Sequence, residues 1–181
     1  MAKEIQVLVL DVDGTLTDGK IYMSANGEIM KAFNIKDGYA LARLPQLGIT
    51  PVIITGRKSE IVEQRCKELK ITRIYQGIED KASKLREVCS ELGVELTQCA
   101  YIGDDLNDVN CMRLCGHKAC PADAVLFVRE HVDYVCEAKG GDGAVREYCD
   151  YLTQDGKLII DIDGNDFSGM ISGSFSTSVL P

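Results

Sequence analysis

The sequence lacks a long apolar run near its start. The longest there, Val7 to Leu10, is interrupted at once by Asp11 and Asp13. That is too short for a membrane-spanning helix or a signal peptide, so a cytoplasmic protein with no membrane partner is expected. Basic residues are also in deficit. The chain has 20 Lys and Arg against 28 Asp and Glu, for a formal net charge of -8. Holding nucleic acid by its phosphates requires clustered Lys and Arg that displace counterions, so no nucleic-acid partner is expected. Histidine is scarce: only His117 and His131 occur, and neither has zinc-ligand spacing to a cysteine. No two cysteines form a C-x-x-C pair, although there are eight: Cys66, Cys89, Cys99, Cys111, Cys115, Cys120, Cys136 and Cys149. They are expected to be reduced and buried, acting as small hydrophobes, with Cys111, Cys115 and Cys120 in or beside a helix. No internal repeat is present.

What is present is a chain of 181 residues, 45% of them apolar, enough for one domain with a real core. Short apolar runs alternate with amphipathic stretches. Ile5 to Leu10 is apolar apart from Gln6, as a central parallel strand buried on both faces requires. Val52 to Ile54 and Ala100 to Ile102 have the same character, and Arg73 to Tyr75 and Tyr134 to Cys136 are weaker strands. Helical spacing links Leu41, Leu44 and Leu47. It recurs in Val62, Cys66 and Leu69 behind an N-cap at Ser59, and in Leu85, Val88, Cys89 and Leu92 before a stop at Gly93. This alternation predicts an α/β fold, a doubly wound and mainly parallel sheet with right-handed crossovers. Gly19 to Asn34 breaks the pattern and reads as a projecting β-hairpin turning at Ala25-Asn26-Gly27. Residues 1–152 read as one compact domain. Thr153 to Pro181 is a tail rich in Gly, Ser and Asp, with one apolar run at Leu158 to Ile162, and three readings stay open for it: an edge strand, a contact with a neighbouring subunit, or a mobile end. Its Asp161-Ile162-Asp163-Gly164 is not expected to be a second site, because no partner motifs follow it.

Four strand ends carry chemistry. Asp11-Val12-Asp13-Gly14-Thr15 follows the first strand, where ligands of open parallel sheets bind. A plain strand-ending turn also uses Asp and Gly. Two carboxylates forced together at a buried strand end are costly, however, unless a cation compensates, and a hard ion such as Mg2+ suits oxygen donors. Thr55-Gly56-Arg57 follows the next strong strand and offers a hydroxyl, backbone N–H groups and a guanidinium to a phosphate, or else is a routine turn. Lys81 opens a helix, where a cation opposes the helix dipole and so invites a functional explanation beside that of a surface lysine. Gly103-Asp104-Asp105-Leu106-Asn107-Asp108 places three more carboxylates at another strand end.

In order and in position, these segments resemble the four motifs of the haloacid dehalogenase superfamily, over nearly all of residues 5–152. The resemblance implies a phosphatase with a Rossmann-like haloacid dehalogenase fold, filling residues 1–152. Asp11 would be the nucleophile and Asp13 the general acid and base. Thr55, Gly56 and Lys81 would bind the phosphoryl group. Asp11, Asp104 and the backbone carbonyl of Asp13 would hold Mg2+, with Asp105 and Asp108 in support. The gaps between motifs leave no room for a large cap domain. The chain thus resembles the capless branch, and within it the 3-deoxy-D-manno-octulosonate 8-phosphate phosphatase group. Asp13 to Gly19, Phe33-Asn34-Ile35-Lys36-Asp37-Gly38-Tyr39 and Gly140-Gly141-Asp142-Gly143-Ala144-Val145-Arg146-Glu147 carry that likeness. It implies a homotetramer assembled through the hairpins, a small phosphorylated sugar acid as substrate, with eight or nine carbons, and contacts to it from Lys36, Asp37 and Arg57. A broad-specificity sugar-phosphate or nucleotide phosphatase is the main alternative. From other classes, a phospho-accepting receiver module and a non-catalytic, partner-activating relative are the competing readings.

Overall fold

The computed structural model describes residues 5–153. The first strand, β1 (Val7–Leu10), is buried at all four positions, as its uninterrupted apolar run demands. Side chains alternate across a strand, and here they feed two separate cores. Leu8 and Leu10 enter one, while Val7 and Val9 enter the other. After β1 come the hairpin strands β2 (Tyr22–Ser24) and β3 (Gly27–Met30), then α1 (Ile35–Arg43) with a 3-10 turn over Leu44–Leu47. There follow β4 (Thr50–Thr55), α2 (Glu60–Glu68), β5 (Arg73–Gln76), α3 (Lys81–Leu92) and β6 (Cys99–Ile102). The described chain finishes with α4 (Val109–Met112), β7 (His117–Cys120), α5 (Leu126–Arg129), β8 (Tyr134–Val135) and α6 (Ala144–Leu152).

Six strands form one sheet in the order β5-β4-β1-β6-β7-β8, every pairing parallel. Side chains of α1, α2 and α6 cover one face and those of α3, α4 and α5 the other. The sheet is therefore doubly wound, and the winding direction reverses at β1, where β4 lies on one side and β6 on the other. Such a reversal opens a crevice at the strands' carboxyl ends.

The hairpin forms its own two-stranded sheet inside the expected 19–34 span, turning through Ala25-Asn26 into Gly27 at φ 112°. Two strands alone are marginally stable in water, and Ile21, Met23, Ile29 and Met30 on this hairpin are exposed. No large cap interrupts the described chain. Sequence periodicity missed β7, whose His-Lys-Ala-Cys is too short and too polar to register, and Cys120 ends that strand instead of lying by a helix. All eight cysteines are free and buried. No helix among the described residues is long and apolar enough to cross a membrane. Thr153 caps α6, its hydroxyl donating to the Cys149 carbonyl at 2.8 Å. The rest of the expected tail lies outside the described residues.

Candidate active site

Four loops converge at the carboxyl edge around β1. Asp11 leaves β1 with its N–H bonded to the Ile102 carbonyl of β6 at 3.1 Å. The following turn folds around the Val12 carbonyl, which accepts from the N–H groups of Thr15, Leu16 and Thr17. Gly14 is held at φ 91°, and a Cβ there would lie 2.1 Å from Asp104 Oδ2, so no larger residue fits between the two acidic loops. Asp11, Asp13, Gly19, Thr55, Gly56, Arg57, Asp104, Asp105 and Asn107 line one cleft of about 270 Å3, near the size of a small-molecule site.

Lys81 reaches Asp11, beneath this cleft, from the first turn of α3. Its ammonium donates to Asp11 Oδ1 at 2.8 Å and to Asp108 Oδ1 at 2.7 Å, with almost no exposure. Burial alone disfavours the charged form, but the carboxylates of Asp11 and Asp108 outweigh it and raise the Lys81 pKa, so the amine stays an ammonium. Asp108 is also fully buried and saturated. Oδ1 accepts from the Tyr101 hydroxyl at 2.7 Å as well as from Lys81, and Oδ2 from the N–H groups of Asp104 and Asp105 at 3.0 and 3.3 Å.

Asp11 and Asp104 are less well compensated. Burial, then the Asp108 charge, pushes Asp11 up to about 6. Burial, then the Asp11 charge, pushes Asp104 up to about 7. One oxygen from each of Asp11, Asp104 and Asp108 falls within 4.8 Å of the others. Buried oxygen donors with surplus negative charge fit a hard divalent ion such as magnesium. Asp108 already spends its oxygens on four donors, which leaves Asp11 and Asp104 as the carboxylates with capacity to bind it.

Asp13 is held differently. Its Oδ1 is contacted by the buried Lys31 ammonium, and its Oδ2 lies 3.6 Å from Arg57 Nε. Lys31 also meets Glu28 Oε1 at 3.0 Å, and Glu28 Oε2 accepts from the Ser59 hydroxyl at 2.6 Å. The hairpin is thereby tied to the first acidic loop and to the start of α2. This also explains why Ser59, although it stands at the N-cap of α2, makes no capping bond with its side chain.

A profile of haloacid dehalogenase-like hydrolases matches residues 73–147. The 3-deoxy-D-manno-octulosonate 8-phosphate phosphatase of Escherichia coli K12 is 45% identical over 151 residues, covering 83% of this chain and 80% of that one. The chain belongs to this phosphatase family. A crystal structure of the family's Moraxella catarrhalis member, in complex with magnesium ion, phosphate ion and a KDO molecule, superposes with a TM-score of 0.81 at 43% identity. The match covers 84% of this chain and 88% of that one. The cobalt-bound deoxy-D-mannose-octulosonate 8-phosphate phosphatase of Haemophilus influenzae matches with a TM-score of 0.81 at 36% identity, over 83% of this chain and 88% of that one.

Of the residues that resemblance to this phosphatase family singles out, the structure gathers Asp11, Asp13, Thr55, Gly56, Arg57, Lys81, Asp104, Asp105 and Asp108 at one edge. Two expected substrate contacts stand elsewhere. Asp37 is buried, and its Oδ1 accepts from the Arg146 N–H at 2.7 Å, so it neutralises the start of α6. It occupies the inner face of α1, which packs on α6, and burial pushes its carboxyl up to about 6. Its Oδ2 has no hydrogen-bond partner. Lys36 points the other way, into an open cleft with Arg146, Asp150 and Tyr151. Neither residue lines the cleft around Asp11 and Asp104. Sequence reading missed Lys31, Glu28 and Tyr101, and it named Asn107 within the Gly103–Asp108 motif without a role. Only Tyr101 left a signal, a hydroxyl inside a fully buried strand that needs a partner.

Proposed function

We propose that this protein is a magnesium-dependent phosphatase that hydrolyses 3-deoxy-D-manno-octulosonate 8-phosphate, or a nine-carbon relative, through a phospho-aspartate on Asp11. The observation that carries the reading is the buried Lys81 ammonium joining Asp11 to Asp108 beside Asp104, in the cleft that also holds Asp13 and Thr55.

Lys81 occupies Asp11 Oδ1 and leaves Oδ2 to attack phosphorus. As the new P–O bond forms, the ester P–O bond breaks and Asp13 gives its proton to the departing alkoxide. Asp13 then takes a proton from the water that attacks the phospho-aspartate, and inorganic phosphate leaves with Asp11 regenerated. The Thr55 hydroxyl, the Gly56 N–H and the Lys81 ammonium hold the phosphoryl oxygens through both steps. Asp11, Asp104 and the Asp13 carbonyl would hold Mg2+, which would neutralise phosphate charge. Asp105 and Asp108 steady that set. Arg57, partly exposed at the cleft, is positioned for the substrate carboxylate.

We place the catalytic unit in residues 1–152 and the protein in the cytoplasm, where eight free buried thiols stay reduced. Exposed Ile21, Met23, Ile29 and Met30 on the hairpin support a homotetramer built through it. The test is magnesium-dependent phosphate release from eight- and nine-carbon keto-deoxy acid phosphates, hexose phosphates and nucleotides, with Asp11→Asn as control. A strong preference for one keto-deoxy acid, lost in Asp11→Asn, is expected. Even, weak turnover of all esters would replace the sugar-acid reading with a broad-specificity phosphatase.

A further inference from the structure

We infer that Lys31, held in place by Glu28, is the positioning residue for the Asp13 carboxyl and fixes which of its oxygens exchanges the proton. The inference rests on the phosphatase reading, in which Asp13 is the general acid.

The Lys31 side chain is 1% exposed and does not line the cleft, so it acts through another residue and not on substrate. An ammonium is buried only where anions compensate it. Lys31 has two: Asp13 Oδ1, and Glu28 Oε1 at 3.0 Å. Glu28 is the hub. It also meets Arg57 at 3.5 Å and takes the Ser59 hydroxyl at 2.6 Å. A serine at a helix start ordinarily bonds the helix's own free N–H groups. Ser59 forgoes that bond to anchor Glu28, which marks the hairpin tether as the structure's stronger demand. Two cations and two anions make this cluster neutral overall.

For Asp13 the result is directional. With Oδ1 bonded to Lys31, Oδ2 is the oxygen left for proton exchange. Its other neighbour, Arg57, is 43% exposed, stands 3.6 Å away and also meets Glu28. As the ester P–O bond breaks, the proton on Oδ2 moves to the alkoxide. Lys31 holds the resulting carboxylate in place for the water step.

The experiment compares kcat/KM for the octulosonate 8-phosphate and for p-nitrophenyl phosphate, using the full-length protein with magnesium. An alkoxide needs a proton to leave and a nitrophenolate does not. Lys31→Met is expected to lose about 30-fold or more on the sugar phosphate and less than about threefold on the aryl phosphate, with KM little changed. Lys31→Arg is expected to recover most of the loss. Glu28→Gln should show a smaller loss with the same selectivity, and it carries the test should Lys31→Met not fold by circular dichroism. Equal losses on both esters, or no loss on either, would overturn the inference. A parent protein inactive on both esters would instead overturn the phosphatase reading on which it rests.

Discussion

The Lys81 ammonium meets the Asp11 carboxylate at 2.8 Å where the two side chains are only 2% and 7% exposed. Removing one partner of a buried pair strands the other charge, typically at about 3–5 kcal/mol. Lys81→Met is therefore expected to destabilise the metal-free protein by about 3 kcal/mol, and less when magnesium is bound. Urea unfolding with and without magnesium measures the difference. Activity should fall by about 10²-fold or more, since a phosphoryl-binding cation is lost with it.

Metal affinity should rise with pH. The folded protein holds Asp11 up at about 6 and Asp104 up at about 7, against 3.8 for each carboxyl in its ordinary state. The metal-free fold thus binds more protons than the unfolded chain between these values. The stability contributed by these two groups is complete below about pH 4 and is lost as pH rises through 6 to 7. Magnesium competes with those protons. The increase in Tm on adding magnesium is expected to be larger at pH 8 than at pH 5.5, and scanning calorimetry checks it. Excess chelator should abolish phosphate release, and magnesium should restore it.

Asp37→Ala separates a structural carboxylate from a substrate contact. Loss of the bond to the Arg146 N–H should cost about 1 kcal/mol or more, as for other helix-start acceptors. Turnover and KM are expected to stay within about threefold, since Asp37 lies outside the cleft. A tenfold rise in KM without loss of stability would return Asp37 to the substrate site.

The candidate site was legible because each of its residues sits where a strong local pattern ends. Asp11, Thr55 and Asp104 directly follow or close continuous apolar strands, and Lys81 opens a helix whose dipole it opposes. Sheet order places them together; the strand–helix alternation implied a doubly wound sheet but not that order. Lys31 and Glu28 were not legible. They lie on a short hairpin whose periodicity says nothing of what the hairpin folds against, and the Lys31–Asp13 contact is tertiary. The bond from the Arg146 N–H to Asp37 was not legible for a related reason: nothing in Lys36-Asp37-Gly38 shows that α6 begins directly over it.

Gly140 lies so close to the first acidic loop that a Cβ on it would stand 1.8 Å from the Gly14 carbonyl oxygen, and its neighbour Gly141 bonds the Thr15 carbonyl at 3.0 Å. During synthesis, the backbone that braces the Asp11 loop is made more than a hundred residues after Asp11 itself. β1 must wait almost as long for β6, its partner on one side. The growing chain therefore carries Asp11 for more than a hundred residues before Gly140 and Gly141 arrive to brace its loop.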